Sequence, residues 1–116
     1  MTETTPRELL QHVIDYGQEA IDTVGDRTAD EILAERMREH SVLRTVQIVG
    51  EAAAQASKLD DQLLDRVPDL RRAIGLRNVL VHGYVKIRME EIVLIVRGDL
   101  PDLLTQVRAL LGEDYE

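Results

Sequence analysis

Cysteine, phenylalanine and tryptophan are absent from this chain. Without cysteine there can be no disulfide, no thiolate-bound zinc and no thiol nucleophile. A fold held without cross-links suits a reducing compartment, and the cytoplasm is the expected location. Without Phe and Trp, and with Tyr at only 3 positions, the core falls to Leu, Ile, Val and Ala. That composition suits helix packed on helix and leaves few rings on which unpaired bases could stack. Long apolar runs are missing too. The longest, Ile92 to Val96, falls far short of the roughly 20 residues that span a bilayer. Met1 to Leu10 is polar and has no secretory signal core. Cations are in deficit, with 14 Lys and Arg against 22 Asp and Glu, a net charge of −8. That balance argues against a general nucleic-acid coat. The 116 residues suggest a single helical domain over 1–116, large enough to bury a core without staples, with the core over about 6–111 and a short acidic tail.

The residues that are present follow helical periods. Thr5, Pro6 and Glu8 form a helix start, with cap, first-turn proline and early acid in order. The spacing of Leu10, Ile14, Gly17, Ile21 and Val24 predicts one apolar stripe over 6–24, ended by Gly25-Asp26. A second helix is expected to begin near Thr28 or Asp30, with Glu31 placed where acid suits the helix dipole. Run to about Ser57, it would be roughly 40 Å long. Val42, Val46, Val49, Ala53 and Ala56 form its seam, and Gly50 with the alanines at 52–54 lets another helix come close. Such seams belong to bundles or dimers. A polar connection over 58–67, with one short turn, leads to Pro68. This proline opens a third helix, with Asp69 in its first turn and Gly83 as terminator. Ile92 to Val96 has the composition of a buried strand, but Glu90-Glu91 precede it and no partner strand exists, so 89–96 reads as helix. Asp99 is expected to cap a last helix over 100–111, with Leu100, Leu104, Val107 and Leu111 as its stripe. The acidic tail after Gly112 is expected to fray. The fold class is all-α, an up-and-down bundle of four to five helices, homodimeric.

Charge is unevenly spread. Residues 66–88 hold Arg66, Arg71, Arg72, Arg77, Lys86 and Arg88 against Asp69 alone, a local +5 that leaves −13 on the remainder. This is either a solvated helix face or a basic cleft in an acidic body. Within it lies Arg77-Asn78-Val79-Leu80-Val81-His82-Gly83-Tyr84. On a wheel of about 100° per residue, with Leu70 at zero, Arg77 falls at about 340°. That is mid-stripe among Ala73, Ile74, Leu80 and Val81. A guanidinium there is expensive unless paired. Either it reaches past the stripe to a carboxylate or a helix end, or it lines a cleft or a subunit interface and awaits an anion. His82 falls about 140° from Arg77 on the same wheel. Either the helix loosens near Gly83, or two copies of the helix pack across a dimer axis and share one cleft. A His near a helix end is also an ordinary capping group, and Tyr84 is by itself an ordinary half-buried tyrosine. His12 and His40 stand apart and are expected to face solvent. No His, Asp and Glu set converges as metal ligands do.

The octapeptide resembles the Arg–x4–His motif of the HEPN superfamily, with its polar residue, Asn78, after Arg. With Tyr84 it is similar to the Arg–x4–His–x–Tyr form of HepT-like toxins. Ile48-Val49-Gly50-Glu51-Ala52-Ala53, Pro68-Asp69-Leu70 and Leu100-Pro101 also resemble family landmarks, so the likeness spans roughly 7–111. The aromatic residue often found after the helix-opening proline is missing, and Asp69-Leu70 stand there.

The resemblance implies a homodimeric helical bundle with both motif copies facing one cleft. It further implies a metal-independent endoribonuclease, the toxin of a type VII (HepT/MntA-like) toxin–antitoxin system. Its partner would be an MNT-type nucleotidyltransferase that spends ATP to place AMP on Tyr84. This chain itself would need no cofactor. Arg77 and His82 would be catalytic, with Asn78 in support and Arg71, Arg72, Lys86 and Arg88 as candidate RNA contacts. Elementary chemistry is compatible with each role. An imidazole with a pKa of about 6.5 can accept a ribose 2′-hydroxyl proton. A guanidinium fork suits phosphate and the charge that builds on it. Two further readings compete with this one. One is a non-catalytic helical dimer that docks a nucleotidyltransferase. The other is a regulatory domain that binds a nucleotide through Arg77.

Overall fold

The computed structural model describes residues 4–81, 83–113 and 115. The first helix, α1, spans Pro6–Val24. Its cap is the expected one: the Thr5 hydroxyl accepts from the Glu8 amide at 3.2 Å, and Pro6 occupies the first turn. Gly25 stops it at φ 49°, ψ −130°, left-handed backbone that glycine adopts without a Cβ penalty. Leu10, Ile14, Gly17 and Val24 are buried as the stripe predicts, with Ile21 half-buried.

The long second helix divides, contrary to expectation. A five-residue helix, α2, covers Ala29–Leu33. Thr28 and Glu31 close a reciprocal capping box at its start, at 3.1 Å and 3.0 Å. Glu35 then takes extended backbone (φ −115°, ψ 104°), and α3 runs over Arg36–Leu59. The break has a geometric cause. At about 100° per residue, Ile32 on a continuous helix would sit roughly 80° off the Val42 line. Ile32 and Val42 are both fully buried, and turning the chain at Ala34-Glu35 allows this. Arg38 braces the corner by donating to Thr23 O at 3.2 Å.

The single-turn helix α4, Leu63–Arg66, lies in the polar connection as expected. Helix α5 covers Leu70–Val79, later at its start and earlier at its end than the sequence suggests. Pro68 sits in the preceding turn. Leu80 and Val81 form a further turn beyond α5, before Gly83 is reached. Helix α6 covers Val85–Leu94, so the apolar piece is helical and begins before Met89. It passes through a π-helical turn, Ile95–Asp99, straight into α7, Leu100–Gly112. Leu100 N–H donates to Ile95 O across five residues. Pro101 has no N–H to continue the normal ladder, and the widened turn absorbs that gap. Asp99 therefore does not cap α7; its carboxylate accepts from Arg72 at 2.9 Å.

Helix α1 packs mainly on α3 and also on α7, while α5 lies against α3 and α6 against α2. Hydrogen bonds set the directions. Arg7 at the start of α1 reaches Leu111 O at the end of α7, and Arg38 near the start of α3 reaches the end of α1. Neighbours alternate, so the all-α, up-and-down architecture stands, with extents of 43 × 27 × 24 Å. The core is aliphatic, with Leu10, Val42, Val46, Val49, Leu70, Leu76, Met89, Ile92 and Leu104 at full or nearly full burial. No helix among the described residues is long and apolar enough to cross a membrane. In the tail, where fraying is expected, residues 114 and 116 lie outside the described residues, and Tyr115 departs from the expectation. Tyr115 is buried, its hydroxyl donates to Asp60 Oδ2 at 2.8 Å, and Arg7 Nε holds its carbonyl at 3.0 Å.

Candidate active site

The site begins at Gly50. A Cβ there would lie 2.9 Å from Arg77 Cγ and 3.1 Å from Ala73 O, so only glycine lets α5 settle this closely on α3. The contact lays the stem of Arg77 across α3 and carries its guanidinium outward. Arg77 is exposed, not buried mid-stripe. The buried face of α5 is Leu70, Ala73, Leu76 and Val79, and Arg77 stands at its margin. The wheel misplaced that face because it counted Val81 as core, whereas Val81 is 80% exposed. Arg77 lines a cavity of about 410 Å³ with Leu43, Gln47, Glu51, Leu80, Val81 and Arg88. It has no hydrogen bond or ion pair among the described residues.

Arg88 bears on both ends of the segment that carries the motif. Its Nη1 donates to Leu80 O at 3.2 Å, and its backbone N–H donates to Tyr84 O at 3.0 Å. Its Nε is buried without a partner among the described residues. One side chain thus adds a second cation to the Arg77 cavity and ties the turn after α5 to the first turn of α6. His82, which lies between Val81 and Gly83 in the chain, is outside the described residues. Tyr84 precedes α6 in extended backbone and is 77% exposed, not a half-buried packing residue. Val81, Val85 and Ile87 are exposed close to it in the chain.

The other candidates separate by position. Asn78 is exposed and does not line the cavity. Arg71 is exposed and also outside its lining. Arg72 is paired with Asp99 at 2.9 Å and Lys86 with Asp30 at 3.6 Å, both at the surface, where such pairs contribute little. Sequence reasoning missed the α3 wall of the cavity, Leu43, Gln47 and Glu51. The signal was available: these residues repeat every four positions beside Gly50, the residue that lets α5 approach. His12 and His40 are exposed, as expected, with the His12 ring edge-on to Tyr16 at 6.2 Å.

An unpaired arginine in an open cavity, beside a second guanidinium, has the chemistry that suits an anionic group such as a phosphodiester. Comparisons with known proteins agree in kind. The sequence model of the HepT-like ribonuclease family matches residues 13–110. Two Methanocaldococcus jannaschii proteins are similar over most of their length. "Putative RNase MJ0127" is 26% identical, covering 98% of this chain and 97% of its own. "Putative RNase MJ1380" is 24% identical, covering 92% and 97%. "Putative RNase TTE0752" of Caldanaerobacter subterraneus subsp. tengcongensis is 24% identical, covering 95% and 97%. No solved structure gives a significant match. With its all-helical bundle and a family match running from α1 to the end of α7, the chain belongs to the HepT-like ribonuclease family.

Proposed function

We propose that the protein is a metal-independent endoribonuclease, the toxin of a type VII toxin–antitoxin pair. The observation that carries this reading is the unpaired Arg77 guanidinium lining an open cavity together with Leu80, Val81 and Arg88. Arg77 holds the scissile phosphate and offsets the charge that builds on it. His82 takes the proton from the ribose 2′-hydroxyl. The 2′-oxygen bonds to phosphorus, the bond from phosphorus to the 5′-oxygen breaks, that oxygen takes a proton from water, and protonated His82 gives its proton to the hydroxide left behind. The products are a 2′,3′-cyclic phosphate and a free 5′-hydroxyl, and a strand without the 2′-hydroxyl is not cut. Asn78 orients the phosphate or His82, and a homodimer brings two such sites to one cleft in the cytoplasm. Tyr84, exposed beside the motif, is the residue on which an MNT-type nucleotidyltransferase places AMP. Bulk and negative charge there close the cleft to RNA.

The test is cleavage of RNA by purified protein in the presence of chelator, with the ends identified by mass spectrometry. Wild type is expected to leave cyclic phosphate ends, and folded His82→Ala to leave the RNA intact. Equal cleavage by the two refutes the assignment. A second reading draws on the exposed apolar residues Val81, Tyr84, Val85 and Ile87: a helical dimer that docks a nucleotidyltransferase and cuts nothing. A stable complex with such a partner, together with no cleavage by the free protein, would favour it.

A further inference from the structure

A second cavity, of about 330 Å³, lies on the other side of Arg77 and is lined by Glu51, Ala54, Gln55, Lys58 and Arg77. It shares Glu51 and Arg77 with the first, which extends to Leu43 and Arg88. The α3 positions involved, 43, 47, 51, 55 and 58, recur every three or four residues and so form one line along the helix. The two cavities therefore make one groove between α3 and the α5–α6 side, with Arg77 at its middle. From residue 43 to residue 58 the helix rises about 22 Å at 1.5 Å per residue.

We infer that this groove is a track for single-stranded RNA, with Arg88 and Lys58 holding backbone phosphates on opposite sides of Arg77. The inference rests on the ribonuclease reading and adds the substrate's path and a residue, Lys58, for which the motif offers no role. Its physical basis is charge, size and chemistry. Neither Arg77 nor Lys58 has a carboxylate partner among the described residues, and Arg88 is engaged only by Leu80 O and retains a buried, unpartnered Nε. By contrast Arg66, Arg72 and Lys86 are each matched with an acid. Each cavity falls in the range of small-ligand pockets, about 300–1,000 Å³, which admits a nucleotide unit and not a duplex. At an axial rise of about 3.4 Å per nucleotide of a stacked strand, the groove spans up to about six nucleotides, fewer when the strand is extended. Glu51, at the junction, is held by Gln47 Nε2 at 3.3 Å. A carboxylate repels phosphate and accepts from hydroxyls, so a ribose edge, not a phosphate, faces Glu51. The two glutamines supply amides to base or sugar.

The test measures binding of a fluorescent twelve-nucleotide RNA to the His82→Ala protein as a function of salt, with Lys58→Gln added. It pairs this with steady-state cleavage by Lys58→Gln in an otherwise wild-type chain. Arg108→Gln is the control; Arg108 lies on α7, bonded to Gln18, away from the groove. The expected result for Lys58→Gln is a log–log salt slope shallower by about 0.7, the value for one single-strand phosphate contact. KM should rise several-fold with kcat unchanged, and Arg108→Gln should alter neither quantity. An unchanged slope and KM for Lys58→Gln, or an equal loss for Arg108→Gln, overturns the track. Failure of the ribonuclease reading shows separately, as a wild type that cuts no RNA, and the binding arm still judges the groove.

Discussion

Replacing Gly50 by Ala tests the central contact of the site. The new Cβ would meet Ala73 O at 3.1 Å and Arg77 Cγ at 2.9 Å, where carbon contacts settle near 3.5–4.0 Å. The carbonyl is part of the α5 backbone and cannot rotate away. The Cγ lies at the root of the Arg77 side chain, so shifting it re-aims the guanidinium. Relief requires α5 to back off, or Arg77 to change rotamer, by about half an ångström or more. Overpacking of this kind costs about 1–3 kcal/mol, and the gain in helix propensity from Gly to Ala returns up to about 1 kcal/mol. The net loss is then about 0–2 kcal/mol, a Tm drop of up to about 8 °C if each kcal/mol moves a domain of this size by about 4 °C. Cleavage should suffer more than stability. A misplacement near 1 Å can reduce turnover about 100-fold, so half of that predicts a fall of about tenfold. Thermal melts by circular dichroism and single-turnover cleavage well below Tm measure the two effects separately. If Gly50→Ala raises Tm by the few degrees that propensity alone would give, and cuts RNA at the wild-type rate, the close approach of α5 to α3 is wrong.

Three further outcomes follow from the same geometry. Arg77→Lys keeps the charge but loses the fork; because the side chain is exposed, Tm should hold while single-turnover cleavage drops about 100-fold or more, and full activity would refute a role for the guanidinium. Tyr115→Phe removes the hydrogen bond to Asp60 and should destabilise the fold at neutral pH by about 1 kcal/mol in chemical denaturation. Burial, helped by the Asp60 hydrogen bond and charge, pushes the Tyr115 phenol far above its usual range. A raised folded pKa means stability that is complete below the ordinary phenol pKa of about 10 and is lost as pH rises beyond it, so wild type should lose Tm more steeply than Tyr115→Phe in alkaline melts. The Thr28 backbone and hydroxyl hold Glu31 below the usual carboxylate range. In NMR titrations Thr28→Ala, which removes the hydroxyl but keeps the backbone N–H that is the larger cause, should move Glu31 only part of the way back toward that range, and a full return would refute the backbone bond as the main cause.

Local chemistry was the most legible part of this chain. Thr5-Pro6 and Gly25 bound α1 because caps and left-handed glycines act over a few residues, and the Val42–Ala56 seam was regular enough to reveal a buried face. The break at Ala34-Glu35 could not be read, since no glycine or proline marks it. It goes with the packing of α2 on α6, elements more than fifty residues apart in the chain. The site was legible in part for the same reason. Arg77 and Arg88 announced themselves by type and do line the cavity. Arg72 and Lys86 look alike in sequence yet are drawn off by Asp99 and Asp30. Glu51 and Lys58 belong to another helix and join the groove only through the packing that Gly50 permits. The acidic tail read as solvent-loving by composition; Tyr115 within it found a buried slot against Asp60 and Arg7.

Helix α5 is fastened unequally along its length. At its start Asp69 accepts from Gln106 at 2.9 Å, and one turn on Arg72 is bonded to Asp99, so two side chains rivet that end to the last third of the chain. Beyond Val79 the described side-chain link is the one from Arg88 to Leu80. The helix is in effect a cantilever with Leu80 and Val81 toward its free end. Past Val79 the chain has only the half-buried Leu80 packed on the core, with Val81 exposed, so amide exchange should be slow at Leu76 and Val79 and quicken beyond them. A ribonuclease built this way can be restrained by gripping one turn, without any need to unfold the body that carries it.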